Sequence, residues 1–254
     1  MRENRTLRQN VFGWPSQRTV KSRSACAPVA SSAMTLLTRP RIDEDVEFER
    51  VWLDATSWVD VARNWVAGAD AVHEALLDGA QWRQGKLWRY DHWVEEPRLG
   101  AMARTAAGEP LHPVLPELQR ALRQRYHVTF TPPAVALYRD GNDSVAFHRD
   151  RDLRWLDDTL IAIVSLGQRR PWHLRPRANR FAHELPNQGA IHDVSPGAGD
   201  LLVMGGRSQA DWEHSVPKVR QPIGPRISLQ RRWTSKHGRP IQGPSYRAPR
   251  NYSR

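Results

Sequence analysis

Two histidines and an aspartate carry the chemistry of this chain. His148 and Asp150 stand two residues apart in His148-Arg149-Asp150, and His214 follows 64 residues beyond Asp150. Two imidazoles and one carboxylate can take one face of an octahedral metal and leave its other positions open, as in non-haem Fe(II) oxygenases. Arg226 lies a short distance further on. A guanidinium grips a carboxylate bidentately, so it suggests a carboxylate-bearing co-substrate. Alone, the pattern is weak: the chain has ten histidines, and chance pairings come easily.

The elements needed to position these residues strengthen the reading. Ala134-Val135-Ala136-Leu137-Tyr138 reads as a short buried strand. Asp140-Gly141-Asn142-Asp143 reads as a turn, whose glycine and Asn/Asp tolerate unusual backbone angles. His148 and Asp150 follow on the next expected strand, where alternation points both to one face. Pro196-Gly197-Ala198-Gly199 turns into Asp200-Leu201-Leu202-Val203-Met204, a buried strand ending at Gly205-Gly206, with His214 expected just past it. In the last strand Arg226, Ser228, Gln230 and Arg232 share a face.

Taken together, Tyr138-x-Asp140-Gly141, His148-Arg149-Asp150, Ser165-Leu166-Gly167, Gly199 to Met204, Trp212-x-His214 and the Arg226/Arg232 strand resemble the AlkB family of Fe(II)- and 2-oxoglutarate-dependent dioxygenases. The resemblance covers about residues 80 to 234. It implies an α+β chain built on a double-stranded β-helix, or jelly roll, braced by N-terminal helices and carrying a lid over the active site. It implies Fe(II) held by His148, Asp150 and His214, with 2-oxoglutarate and O2 as co-substrates. Arg226 would hold the distal carboxylate of 2-oxoglutarate, with Arg232 and Tyr138 supporting the same pocket. Asp152 falls where the family reads the damaged base. Two positions depart from the family: Ala136 and Ser228 each stand where it usually has asparagine. The expected consequence is a co-substrate site with fewer polar contacts.

The implied reaction is oxidative demethylation of N-alkylated bases in nucleic acid, coupled to decarboxylation of 2-oxoglutarate to succinate. A duplex hides such an alkyl group, so the nucleotide must be single-stranded or flipped. Alkylated DNA is the expected partner ahead of RNA, and the protein is expected to be a monomer. Two other readings stay open: an AlkB-like hydroxylase of protein or a small molecule, and a nucleic-acid-binding relative with weak catalysis.

Composition adds bounds. The 254 residues fit one domain, and no apolar run reaches membrane-spanning length. The single Cys26 excludes an intramolecular disulfide and fits a reducing, cytoplasmic compartment. Net charge is +11, yet residues 1–33 hold six basic residues against one acid, and residues 231–254 hold seven against none. The body between them is therefore nearly neutral, at −1. Basic ends can collect nucleic acid or be solvated. Residues 1–33 read as a disordered or non-native extension, 34–236 as the domain, and 237–254 as a basic tail. Within the domain Arg169, Arg170, Arg175, Arg177 and Arg180 crowd one hairpin region, where phosphate contact is expected.

Thr56 or Ser57 is expected to cap a helix running to about Trp65. A second helix is expected over Ala71 to Leu77. A third follows Pro113 to Tyr126, with Val114, Leu118, Leu122 and Tyr126 on one stripe. The jelly-roll core is expected over about 128–234. Between helices, residues 82–99 interleave aromatic and basic side chains, a combination that can stack a base and hold its phosphates. This is the expected lid. Trp82 and Trp93 are expected in the core, and Trp88 and Tyr90 share a face that can meet substrate.

Overall fold

Nearly all of the segment Thr159–Gly167 is buried, odd and even positions alike. Only a strand at the centre of a layered sheet, covered on both faces, requires that pattern. The structure, a computed structural model, describes residues 39–235 apart from Tyr90, Arg151, Asp152, Trp155 and 178–190. The expected terminal extension and tail, Tyr90, Asp152 and Arg180 thus lie outside the described residues.

In chain order the elements begin with β1 (Arg41–Ile42), β2 (Phe48–Trp52), β3 (Ser57–Ala62), β4 (Val66–Ala67) and α1 (Ala69–Gly79). The hairpin of β5 (Arg83–Arg89) and β6 (His92–Met102) comes next, then α2 (Val114–Tyr126). The remainder is β7 (Ala134–Tyr138), β8 (Val145–His148), β9 (Thr159–Gly167), β10 (His173–Pro176), β11 (His192–Asp193), β12 (Leu201–Gly206), α3 (Ser208–Asp211), β13 (Trp212–Val216) and β14 (Arg226–Thr234).

Strand β9 sits inside an eight-stranded sheet ordered β2-β3-β12-β9-β14-β7-β6-β5. A four-stranded sheet is ordered β11-β10-β13-β8, and β1 pairs with β4. From β7 onward the chain passes back and forth between the two larger sheets, all pairs being antiparallel. This is the two-sheet plan expected of the sequence. Alternation divides the core in two. Leu160, Ala162, Val164 and Leu166 of β9 face one cluster with Val72 and Leu76 of α1 and Leu115, Leu118 and Leu122 of α2. Ile161 and Ile163 face the other, between the sheets, with Leu174, Trp212 and Val216. Each such side chain stabilises the fold by roughly 1.5–3 kcal/mol when fully buried.

Helix α2 spans Val114–Tyr126 with Pro113 at its N-cap, as its stripe predicts. Helix α1 covers the expected second helix and extends it to Ala69–Gly79. The helix expected from Thr56 or Ser57 to about Trp65 does not form: Ser57–Ala62 is β3. Asp54 caps a turn there, its Oδ1 accepting from the amides of Thr56 and Ser57 at 2.7 Å. Val59 and Val61 alternate with Asp60, which Arg50 of β2 and Tyr126 of α2 hold in place. Pairing with β2 and β12 then outweighs the weak helical pattern.

Two further expectations change. His214 lies not just past β12 but in β13, one strand on. Strand β8 ends at His148, so Asp150 is not placed by strand alternation. It stands in a turn in which its carbonyl accepts from the amides of Leu153 and Arg154.

Candidate active site

His148 and His214 are direct cross-strand partners in the β8–β13 pair. Side chains directly opposite on one face of a sheet must meet, and the two imidazole centroids are 4.2 Å apart. The turn after β8 carries Asp150 back over them. One ligand atom from each of His148, Asp150 and His214 lies within 4.8 Å of the others. Among the described residues this is the group of three that could hold a metal ion.

The ring nitrogens are suited to the task. His148 Nδ1 is 2.9 Å from the Ala146 carbonyl, which makes it the natural donor and leaves Nε2 free for a ligand bond. Burial pushes the pKa of His148 down, against the pull of Asp150. Burial and then His148 push His214 down to about 3, so it is neutral at physiological pH. Its Nδ1 is buried without a hydrogen-bond partner. Trp172 stacks along its ring at 5.8 Å, fixing the plane.

Asp150 is held from two sides. Burial disfavours its charge, but Arg232, then His214 and His148, keep its pKa below the usual carboxylate value. Arg232 Nε donates to Asp150 Oδ2 at 2.5 Å and Nη2 to Gln230 Oε1 at 2.8 Å. Gln230 Nε2 in turn donates to Ser228 Oγ at 3.4 Å. The shared face of β14 is therefore a polar row ending on the carboxylate.

Arg226 begins that face and is completely buried. Its Nη2 donates to Ser165 Oγ at 2.8 Å, while Nε and Nη1 have no hydrogen-bond partner. Burial lowers its pKa to about 10, well above neutrality, so the charge persists. A buried cation with two idle donors is costly unless an anion completes it. A carboxylate from a small co-substrate has that charge and geometry.

A small cleft opens over the site, lined by Tyr138, His148, Asp150, His214, Ser228 and Arg232 among others. Arg226 is not among its lining residues; its guanidinium lies 5.6 Å from the Tyr138 ring. Ala136 and Ser228 are cross-strand partners, so the two departures from the family form one patch without an amide. The residues present thus fit both groups that the sequence implies, a metal by the His-Asp-His set and a carboxylate by the idle Arg226 donors.

Several expectations need correction. Trp93 is 64% exposed and so is not core, whereas Trp82 packs against the core as expected. Trp93 instead meets Trp88 edge to face at 5.4 Å on the β5–β6 hairpin. Trp88 is 39% exposed and does not line the cleft. The arginine group near β10 is not a free basic patch. Arg170 is buried and donates to the carbonyls of Asp140, Asp143 and Pro217. Arg175 pairs with Glu213 at 2.8 Å, and Arg169 with Asp200 at 3.6 Å.

Among the polar and aromatic residues of the cleft, sequence reasoning did not single out Arg98 and Trp172. Arg98 had a signal, since it ends the aromatic-basic stretch. Its Nη1 donates to Tyr138 Oη at 3.3 Å. Trp172 had none, because only the fold brings it beside His214.

The model of the 2OG-Fe(II) oxygenase superfamily matches residues 48–239. The chain belongs to that superfamily, whose members pair Fe(II) with 2-oxoglutarate and O2. Its likeness to AlkB proteins is equally plain among curated relatives. The human alpha-ketoglutarate-dependent dioxygenase alkB homolog 3 is 30% identical over 174 residues, covering 65% of this chain and 61% of the relative. The DNA oxidative demethylase ALKBH2 of Bos taurus is 28% identical over 178 residues, covering 64% and 63%. The chain thus spans about three fifths of these relatives' length. Among solved structures, a prolyl hydroxylase from Trichoplax adhaerens, in complex with a peptide fragment, superposes with a TM-score of 0.50 at 14% identity, covering 69% of this chain and 83% of that one. That likeness is one of fold.

Proposed function

We propose that this chain is an Fe(II)- and 2-oxoglutarate-dependent dioxygenase that removes alkyl groups from the nitrogens of nucleic-acid bases, with alkylated DNA as its main substrate. One observation carries the reading: a His-Asp-His set within 4.8 Å of one another, on the same sandwich as a buried arginine with two idle donors. The names of the relatives, one of them a DNA oxidative demethylase, support the substrate class.

His148, Asp150 and His214 would hold the metal. Arg226 would take the distal carboxylate of 2-oxoglutarate, with Tyr138 beside it and Arg232 steadying Asp150. When bound, iron, 2-oxoglutarate and O2 supply the oxidation of an alkyl C–H bond, after which the alkyl group leaves as aldehyde and 2-oxoglutarate as succinate and carbon dioxide. The chain's own part is orientation and exclusion of water. Trp172, Val145 and Val216 give the cleft an apolar wall beside the histidines. Arg232 neutralises Asp150, which stays ionised and ready to bind.

The β5–β6 hairpin would act as the lid of the jelly roll, with Trp88, Trp93 and Tyr90 facing the flipped or single-stranded nucleotide. Asp152 would accept a hydrogen bond from an exocyclic amine, a group adenine and cytosine have and thymine lacks. The enzyme would work as a monomer in a reducing compartment, in keeping with its single cysteine. No described helix is long and apolar enough to cross a membrane.

The test is succinate release with Fe(II) and 2-oxoglutarate over a panel of methylated oligonucleotides, single- and double-stranded. Stimulation by N1-methyladenine and N3-methylcytosine oligonucleotides is expected. Stimulation by a peptide or small molecule instead would reassign the substrate, and none by any substrate would overturn the enzymatic reading.

A further inference from the structure

The amide of Asp150 has an unusual partner. Strand β8 stops at His148, so the next residue on the same edge, Asp150, has no place in the β8–β13 ladder. Its N–H is taken by a side chain, donating to Gln209 Oε1 at 2.8 Å. Gln209 lies in the short α3 and is completely buried. Its other end is also fixed, with Nε2 3.7 Å from Met204 Sδ. The same helix takes a second bond from this turn, Arg149 Nη1 donating to the Ala210 carbonyl at 3.0 Å.

The position of α3 explains why this matters. Strand β12 ends in Gly205-Gly206, and both glycines are required. A Cβ at Gly205 would lie 2.0 Å from the Trp58 ring, and Gly206 has φ 63° and would crowd the Thr56 carbonyl. This sharp exit starts α3, and α3 runs directly into β13, which carries His214. One four-residue helix therefore holds the backbone of one prospective ligand and leads into the strand of another. The third, His148, is tied to His214 by register.

We propose that Gln209 is a positioning residue of the metal site: its side-chain oxygen replaces the missing strand partner of Asp150 and sets the aspartate's carboxylate against the two histidines. It touches no metal, co-substrate or substrate, and acts only through Asp150. Outer partners of this kind orient a ligand before the metal arrives, and their loss typically costs ~10–100-fold in metal affinity. The inference rests on the metal reading of His148, Asp150 and His214.

The test is anaerobic titration of the full-length, metal-free protein with Co(II), followed by visible absorption, which reports both affinity and ligand geometry. Gln209→Met fills a similar volume without an accepting oxygen and should weaken Co(II) binding by about tenfold or more, with an altered spectrum. Gln209→Asn keeps the amide but not the reach and should behave like Gln209→Met, serving as the decisive variant if the methionine protein does not fold. Gln209→Glu keeps an oxygen at the same reach and should bind within about threefold of wild type, well short of that loss. Wild-type affinity and spectrum in either shortened or apolar variant would overturn the proposal, as would equal losses in Gln209→Glu and Gln209→Asn. Failure of the wild-type protein to bind Co(II) would instead refute the metal site itself.

Discussion

The floor of the cleft and the β5–β6 hairpin obey different rules. On the floor, a chain of polar groups runs through Asp150: Gln209 holds its amide, Arg232 its carboxylate, Gln230 holds Arg232, and Ser228 holds Gln230. The histidines are fixed by strand register and by Trp172. On the hairpin, β5 is the outer strand of the large sheet. Trp88 and Trp93 meet one another across the hairpin, Trp93 largely open to solvent and Trp88 less so, and Lys86 pairs with Glu95 only at 3.6 Å with both side chains well exposed. Such an exposed ion pair contributes little. The polar chain on the floor is organised before any ligand arrives, while the hairpin leaves two tryptophans exposed. Chemistry needs fixed geometry to a fraction of an ångström, whereas stacking on a base tolerates adjustment. Arg98 joins the two regions, since it belongs to β6 but bonds Tyr138 in the cleft.

That contrast predicts separable losses. Replacing His148 by alanine should remove iron-dependent turnover altogether while the protein melts as wild type does, because the floor loses a ligand and the fold only a part-exposed ring; activity near wild type would remove His148 from the site. Arg226→Lys keeps the charge but loses the fork. The Michaelis constant for 2-oxoglutarate should rise about tenfold or more, as a charge-assisted pair is worth roughly 1.5–3 kcal/mol. An unchanged constant would pass the distal carboxylate to another cation.

Smaller effects should come from the hairpin. Trp88→Ala with Trp93→Ala should weaken oligonucleotide binding by about fivefold or more, given ~1–3 kcal/mol per stacked base, and leave the constant for 2-oxoglutarate alone. Equal changes in both constants would show that the two regions are not independent. Smallest of all, Ser228→Asn returns an amide to the patch opposite Ala136. It should lower the 2-oxoglutarate constant by about two- to threefold, the value of a modest hydrogen bond near 0.5 kcal/mol; a rise would mean that the Ser228–Gln230 bond matters more.

What could be read in the sequence follows the same division. The Asp140–Asp143 turn is there, with the Asn142 amide on Asp140 Oδ1 at 2.8 Å, because short side chains bond locally and sequence shows it. Strands β7 and β12 were legible as short apolar runs bounded by turn residues, and β14 by the face that Arg226, Ser228, Gln230 and Arg232 share. Residues 57–62 were misread as helix because six residues cannot separate the two periods, and the deciding contacts come from Arg50, Tyr126 and β12. The cluster of His148, Asp150 and His214 was legible by residue type, yet Asp150 stands in a turn with its amide on Gln209, not on an alternating strand. Arg170 looked like a surface cation because sequence does not reveal three carbonyls converging on it. Trp93 looked like core because an aromatic on a protruding hairpin has the same letter as one inside.

The central claim is that the His-Asp-His set and Arg226 serve one ligand pair together. Its most direct test is anaerobic binding of 2-oxoglutarate, measured calorimetrically with and without Mn(II). The account predicts one 2-oxoglutarate per chain, tight only when metal is present, and lost in His148→Ala. Binding of the same strength with or without metal, or unaffected by His148→Ala, would contradict it.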